Sequence, residues 1–159
     1  MRDHPLVALL DDRLPPVDFD APARERLAGA LDREGVVAAY LFGSQATGGA
    51  GPLSDVDVGV WLEPTLAGKQ RGKLLRELQG DAVEAIRHES VDVVCLQDAS
   101  VLLRHRAIRD KETLVDRRPA VRVDLEARAI LEYLDTEHLR AELAQGLRDR
   151  LAEGRFGRS

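Results

Sequence analysis

Two neighbouring stretches decide the fold: Val36-Val37-Ala38-Ala39-Tyr40-Leu41-Phe42-Gly43-Ser44 and, ten intervening residues later, Asp55-Val56-Asp57-Val58-Gly59-Val60-Trp61-Leu62. The first is an unbroken apolar run between Gly35 and Gly43, the pattern of a central strand covered on both faces. The second reads as another strand. Strand side chains alternate faces, so Asp55 and Asp57 point the same way. The segment Gly43 to Ser54 is rich in Gly, Ser, Thr and Pro and reads as a functional loop with a helical turn, not a linker.

Working outward, Asp18 or Asp20 is placed to cap a helix that tolerates Pro22 in its first turn and carries Leu27 and Leu31 on one face, with Gly35 placed to end it. Residues Met1 to Val17 form a lead-in, with one helical turn around Val7–Leu10. Beyond the second strand, Lys69 to Arg87 places Leu74, Leu75, Leu78, Ala82, Val83 and Ile86 at helical spacing. Val91-Asp92-Val93-Val94-Cys95-Leu96 is a third strand, followed by a short helix over Ser100–Arg109 and an extended piece at Thr113–Val115. From Val121 to Glu153 the pattern is helical again. Unbroken, that helix would span about 45 Å, so it either projects or breaks, and Asp135-Thr136-Glu137 is the place to break. The expected division is a lead-in over 1–17, one domain over 18–120, a C-terminal helical segment over 121–153 and a tail over 154–159. The fold class is a small α/β domain with the sheet near one face.

Composition narrows the function. The chain has 159 residues, 44% hydrophobic and 32% charged, with a net charge of −5. That balance does not suit a protein whose main task is gripping nucleic-acid phosphates. The single Cys95 excludes an internal disulfide and a cysteine metal knuckle, and its apolar setting makes it a buried thiol. No uninterrupted apolar stretch of about 18 residues and no apolar leader are present, so the expected location is cytoplasmic.

The chemistry is read from carboxylates. Asp55 and Asp57 on one strand face repel one another unless a cation lies between them, and a hard divalent ion with oxygen ligands answers that need. Asp92 adds a third carboxylate on another apolar strand, where unpaired charge is costly. Small residues at Gly43 and Ser44 let a phosphate approach the backbone N–H groups and the Ser44 hydroxyl. Carboxylates on one side and phosphate on the other suit metal-assisted phosphoryl transfer. Among other residues, His4, His88, His105 and His138 lack metal-ligand spacing, and Trp61 and Tyr40 are core aromatics. Lys69, Arg71 and Lys73 could reach phosphate. Seven cations between Arg104 and Arg122, against three acids, could meet triphosphate or an acidic partner. Leu139, Leu143, Leu147 and Leu151 form an i+4 stripe that either packs on the domain or meets a partner.

Gly43-Ser44, ten residues, Asp55-X-Asp57 and a later strand Asp92 resemble the signature of the polymerase-β-like nucleotidyltransferases. The small size and the segments Tyr40–Gly48, Ser54–Val60 and Val91–Val94 are similar to the minimal nucleotidyltransferase branch. Leu102-Leu103-Arg104 with Ile108 and Leu114-Val115 resembles its antitoxin members, partners of HEPN-domain RNase toxins. Thr47 departs from the arginine often found there. The resemblance implies a polymerase-β-like fold, with a small mixed sheet, helices packed on it and a C-terminal helical segment. It also implies AMP transfer from ATP to a toxin tyrosine. Asp55 and Asp57 would bind two Mg²⁺ ions and the triphosphate. Asp92 would complete the second metal site and activate the acceptor hydroxyl, while Gly43 and Ser44 would hold phosphates. A small-molecule acceptor such as an antibiotic, an RNA 3′ end, or a non-catalytic antitoxin that only binds its toxin are the alternatives. The missing stacking module disfavours RNA.

Overall fold

The computed structural model describes residues 19–49, 55–87 and 90–154. The lead-in helical turn, Asp18, His4, His88, Ser54 and the tail from Arg155 therefore lie outside the described residues. The element order is α1 (Ala21–Leu31), β1 (Val36–Phe42), α2 (Ser44–Thr47), β2 (Val56–Leu62), α3 (Gly68–Ile86), β3 (Val91–Cys95), α4 (Val101–Arg109), β4 (Glu112–Asp116), α5 (Pro119–Asp135) and α6 (Glu137–Ala152). The strands form one mixed sheet in the order β3-β2-β1-β4. β1 runs antiparallel to both β2 and β4, whereas β2 and β3 are parallel. The α3 crossover makes that parallel pair possible, since a tight hairpin cannot join parallel strands.

Every residue of β1 is buried, as its unbroken apolar run requires. On one sheet face, Val36, Ala39 and Leu41 join Val56, Val58 and Val60 beneath Leu27 and Leu31 of α1 and Leu74 and Leu78 of α3. On the other, Val37, Tyr40, Phe42 and Trp61 pack beneath Ala107 and Ile108 of α4 and Ala129 of α5. The sheet is thus covered on both faces rather than lying near one face of the domain. Neither α4 nor α5 declares in its sequence which side of the sheet it will take.

Local signals account for most boundaries. Asp20 caps α1, its carboxylate accepting from the Ala23 N–H at 2.9 Å. The helix stops at Leu31, earlier than a Gly35 terminus implies. Gly35 instead sits at φ +90° in the turn into β1, where a Cβ would lie 2.7 Å from the Leu74 side chain. The long C-terminal pattern breaks at Thr136, one residue wide, with Thr136 outside helical geometry at φ −97° and ψ 6°.

Two polar devices fix the layers. Tyr40 donates to Glu126 of α5, and Lys111 and Arg122 converge on the same carboxylate. Burial, then the hydrogen bond to Glu126 and that carboxylate's charge, push the Tyr40 hydroxyl well above the usual phenol range. At the outer edge of β3, the Gln79 side-chain amide donates to the Val91 carbonyl (2.6 Å) and accepts from the Val93 N–H (2.8 Å). It serves as a missing strand partner and shields that edge. Among the described residues, no helix is long and apolar enough to cross a membrane.

Candidate active site

The site forms where β1 ends and β2 and β3 begin. Phe42 pairs with Asp57 across the antiparallel β1–β2 ladder, and Asp57 pairs with Asp92 across the parallel β2–β3 ladder. Paired positions share a sheet face, and neighbouring strands lie about 4.8 Å apart. Asp57 and Asp92 therefore stand side by side on the α4–α5 face. Asp55 lies just before β2 and is exposed, as is Asp92, whereas Asp57 is half-buried. Gln79 brackets Asp92 by holding the backbone of both its neighbours.

Burial is the main cause that raises the Asp57 carboxyl above its usual range. The Arg106 guanidinium opposes it, and the charges of Asp55 and Asp92 add to it. Asp57 thus senses both of the other carboxylates. Among the described residues they do not close into a ready-made cage: no three His, Cys, Asp or Glu side chains are grouped as a cation site. The donor set nevertheless fits a hard divalent ion, because it offers oxygen only and its charges repel in the absence of a cation.

Gly43 faces this carboxylate. Its φ of 72° and ψ of −151° fall in a region nearly restricted to glycine, and a Cβ would sit 2.5 Å from Asp57 Oδ2. Gly43 is buried and Ser44, half-buried, opens the short helix α2. Thr47 turns its hydroxyl back to the Gly43 carbonyl at 3.1 Å, so here the residue closes the turn from within. Arg24 of α1 anchors the same turn, donating to the Gln45 carbonyl (3.2 Å) and the Phe19 carbonyl (2.8 Å) and pairing with Glu112 of β4 at 3.2 Å.

Other cations behave differently from the sequence expectation. Lys69, Arg71 and Lys73 lie on α3, whose core side chains pack on the opposite sheet face, so they do not reach the carboxylates. Arg71 is held by Asp98 (2.8 Å) and Lys73 pairs with Glu77 at 3.8 Å. The basic segment is largely neutralised within the chain. Arg104 pairs with Glu132, Arg109 with Asp110, Lys111 with Glu126, Arg117 with Asp32, Arg118 with Glu63 and Arg122 with Asp116. Arg106 was not singled out in the sequence, where it is one of seven similar cations. Gln79 and Arg24 were missed because each acts across 12 or more positions. Cys95 is buried, as its apolar setting requires, with its thiol 3.2 Å from Gln97 Oε1.

One stability prediction follows from Asp57. In the metal-free protein at neutral pH, Asp57→Asn should raise the melting temperature, because it removes a charge that burial and two carboxylates disfavour. A carboxyl whose folded pKa is raised destabilises the fold above that pKa and ceases to do so as it takes up its proton. The gain should therefore be present at neutral pH and vanish as pH falls through the Asp57 pKa toward the ordinary carboxylate range. Melting curves across that range test it, and a gain independent of pH would contradict it.

The family model "Polymerase beta, Nucleotidyltransferase" matches residues 25–120, which include β1, α2, β2, β3 and all five residues of the site. No curated protein matches. Three solved structures share the fold. A toxin–antitoxin crystal structure with AMP-PNP is similar at 25% identity and TM-score 0.58, covering 80% of this chain and 98% of that one. A chain in the complex of tri-AMPylated Shewanella oneidensis HEPN toxin with MNT antitoxin is similar at 23% identity and TM-score 0.54, over 81% and 96%. A chain of the MntA–HepT toxin–antitoxin is similar at 23% identity and TM-score 0.53, over 81% and 97%. With the family model spanning the greater part of the sequence, and the fold shared with these structures, the chain belongs to the polymerase beta nucleotidyltransferase family.

Proposed function

We propose that the chain is a metal-dependent nucleotidyltransferase that transfers AMP from ATP to a tyrosine of a HEPN-type RNase toxin and acts as its antitoxin. The observation that carries the reading is the juxtaposition of Asp57 with Asp92, beside Asp55 and against Gly43. Asp55 and Asp57 hold the divalent ions, Asp92 completes the second ion's ligands, and Gly43 and Ser44 hold the phosphates. When bound, Mg²⁺ supplies Lewis-acid stabilisation of the charge on the reacting phosphate. Asp92 accepts the proton of the acceptor hydroxyl as its oxygen bonds the α-phosphorus and the bond to pyrophosphate breaks. Residues 18–120 form the nucleotidyltransferase domain; of the segment 121–153, α5 belongs with that domain through Ala129 and Glu126, and α6 serves partner binding. The reading places the protein in the cytoplasm.

The ATP donor and the antitoxin role are supported by the 25% identical toxin–antitoxin structure with AMP-PNP, nearly all of whose matching chain is covered. The tyrosine acceptor rests on the sequence resemblance alone. Two measurements test the reading. Calorimetry should show ATP binding in Mg²⁺ that is lost in chelator, and equal affinity in both would sink the metal-dependent site. Intact-mass spectrometry of the purified HEPN-type partner incubated with this chain, ATP and Mg²⁺ should show increments of one AMP each. An unmodified partner still neutralised by the Asp57→Asn protein would establish plain sequestration instead. If no stable complex forms, a small-molecule acceptor takes first place.

A further inference from the structure

Of the seven cations between Arg104 and Arg122, six are committed to intramolecular ion pairs. Arg106 alone in that segment has no ion-pair partner among the described residues, and its side chain is exposed. Its position is not arbitrary. Arg106 sits in the last turn of α4, next to Ala107 and Ile108, which pack with Phe42 and Tyr40 on the sheet face that bears Asp57. Its charge is felt at Asp57 more strongly than that of Asp55 or Asp92. Asp110, four residues on and within reach of the Arg106 charge, is already held by two hydrogen bonds of 2.7 Å from Arg109.

An exposed arginine with no ion pair among the described residues, in a segment of paired ones and close enough to Asp57 for its charge to act there, suits an anion that arrives later. The triphosphate brings more negative charge than divalent ions bound by three carboxylates can neutralise, and guanidinium groups are matched to phosphate oxygens. We propose that Arg106 is a phosphate-contacting residue of the nucleotide site, reaching a phosphate oxygen of ATP from the α4 side. In the free protein it is a loose counter-charge to the carboxylates; with metal bound to them, it is released to the nucleotide. This inference rests on the nucleotidyltransferase reading and adds to it a residue outside the signature motif.

The test uses two ligands whose responses should separate. For Arg106→Gln in the full chain, calorimetry should show ATP binding in Mg²⁺ weakened about tenfold to a hundredfold, the scale of a hydrogen bond to a charged group. Arg106→Lys should recover part of the loss. Mn²⁺ binding without nucleotide should be unchanged or tighter in Arg106→Gln, because a competing cation has been removed from beside the carboxylates. A merely structural arginine that ordered the site would weaken both ligands together, and that outcome would overturn the proposal. So would unchanged ATP affinity. A wild-type chain that binds no ATP in Mg²⁺ would overturn the nucleotidyltransferase reading itself, and this inference with it.

Discussion

Asp55→Asn and Asp57→Asn should each lower AMP transfer on the order of a thousandfold or more while leaving the chain folded. The size follows from the chemistry: Lewis-acid stabilisation of a reacting phosphate is worth several kcal/mol, and each 1.4 kcal/mol is about a factor of ten in rate. Folding should survive because neither carboxylate pairs with a cation among the described residues. Asp55 is exposed, and Asp57 is a net electrostatic liability to the metal-free fold. One substitution, Asp57→Asn, is therefore expected to improve stability and to abolish function, the pattern of a residue kept for chemistry and not for packing. Asp92→Asn should lose transfer with less loss of ATP affinity, because its proposed work is on the acceptor hydroxyl. The measurement is single-turnover transfer to the partner, with ATP affinity and melting temperature taken on the same samples. An Asp92→Asn protein with full transfer activity would remove that residue from the mechanism, and loss of activity accompanied by unfolding of either other variant would leave it without a catalytic meaning.

How legible this site was depends on the range of the interaction involved. β1 begins and ends where its apolar run does, at Val36 and Phe42, because a strand buried on both faces needs nothing else from its sequence. The helix over Gly68–Ile86 follows from its own leucine spacing, and of the two outcomes open to the long C-terminal pattern, projection or a break, the chain takes the break at Thr136, inside the capping site Asp135-Thr136-Glu137. Asp55 lies two residues before Asp57, and its charge acts on Asp57 through that local spacing alone. The meeting of Asp57 with Asp92 is different, since it depends on β3 pairing with β2 in parallel and in register. That register is a property of the α3 crossover and of the common apolar pattern of the two strands, not of either aspartate. Arg106 is less legible still. Which of seven cations stays unpaired is decided by acids as distant as Asp32, Glu63 and Glu132, brought in by three different elements. Charge counting along the chain suggested a basic surface; folding cancels nearly all of it.

Truncation after Thr136 should cost binding of the partner about a thousandfold while sparing ATP affinity. α6 contributes no buried residue to the chain, so its removal leaves both halves of the core intact. Yet Leu139, Leu143, Leu147 and Leu151 stand 48 to 66% exposed along it, and a helix of 16 residues, about 24 Å long, has no reason to keep four leucines in water. The stripe continues onto the outer side of α5, where Val123, Leu131 and Leu134 are more than half exposed. Its first turn is not loose: the Arg140 guanidinium lies 3.8 Å from the centre of the Tyr133 ring, which stacks on His105 at 3.6 Å. α6 is thus presented by α4 and α5 as an apolar face on a fixed base. Covering the exposed half of four leucines is worth on the order of 4 kcal/mol, which converts to the thousandfold effect. The basic segment adds little to this surface, six of its seven cations being already paired. Calorimetry of the truncated chain against the partner and against ATP in Mg²⁺ separates the two functions, and Leu143→Asp in the full chain provides a version that removes no backbone. A truncated chain that bound the partner with undiminished affinity would move the docking surface off α6 and onto α5 or the open mouth of the site. A loss of ATP affinity in parallel would mean that α6 supports the domain itself, against the absence of any buried side chain along its length.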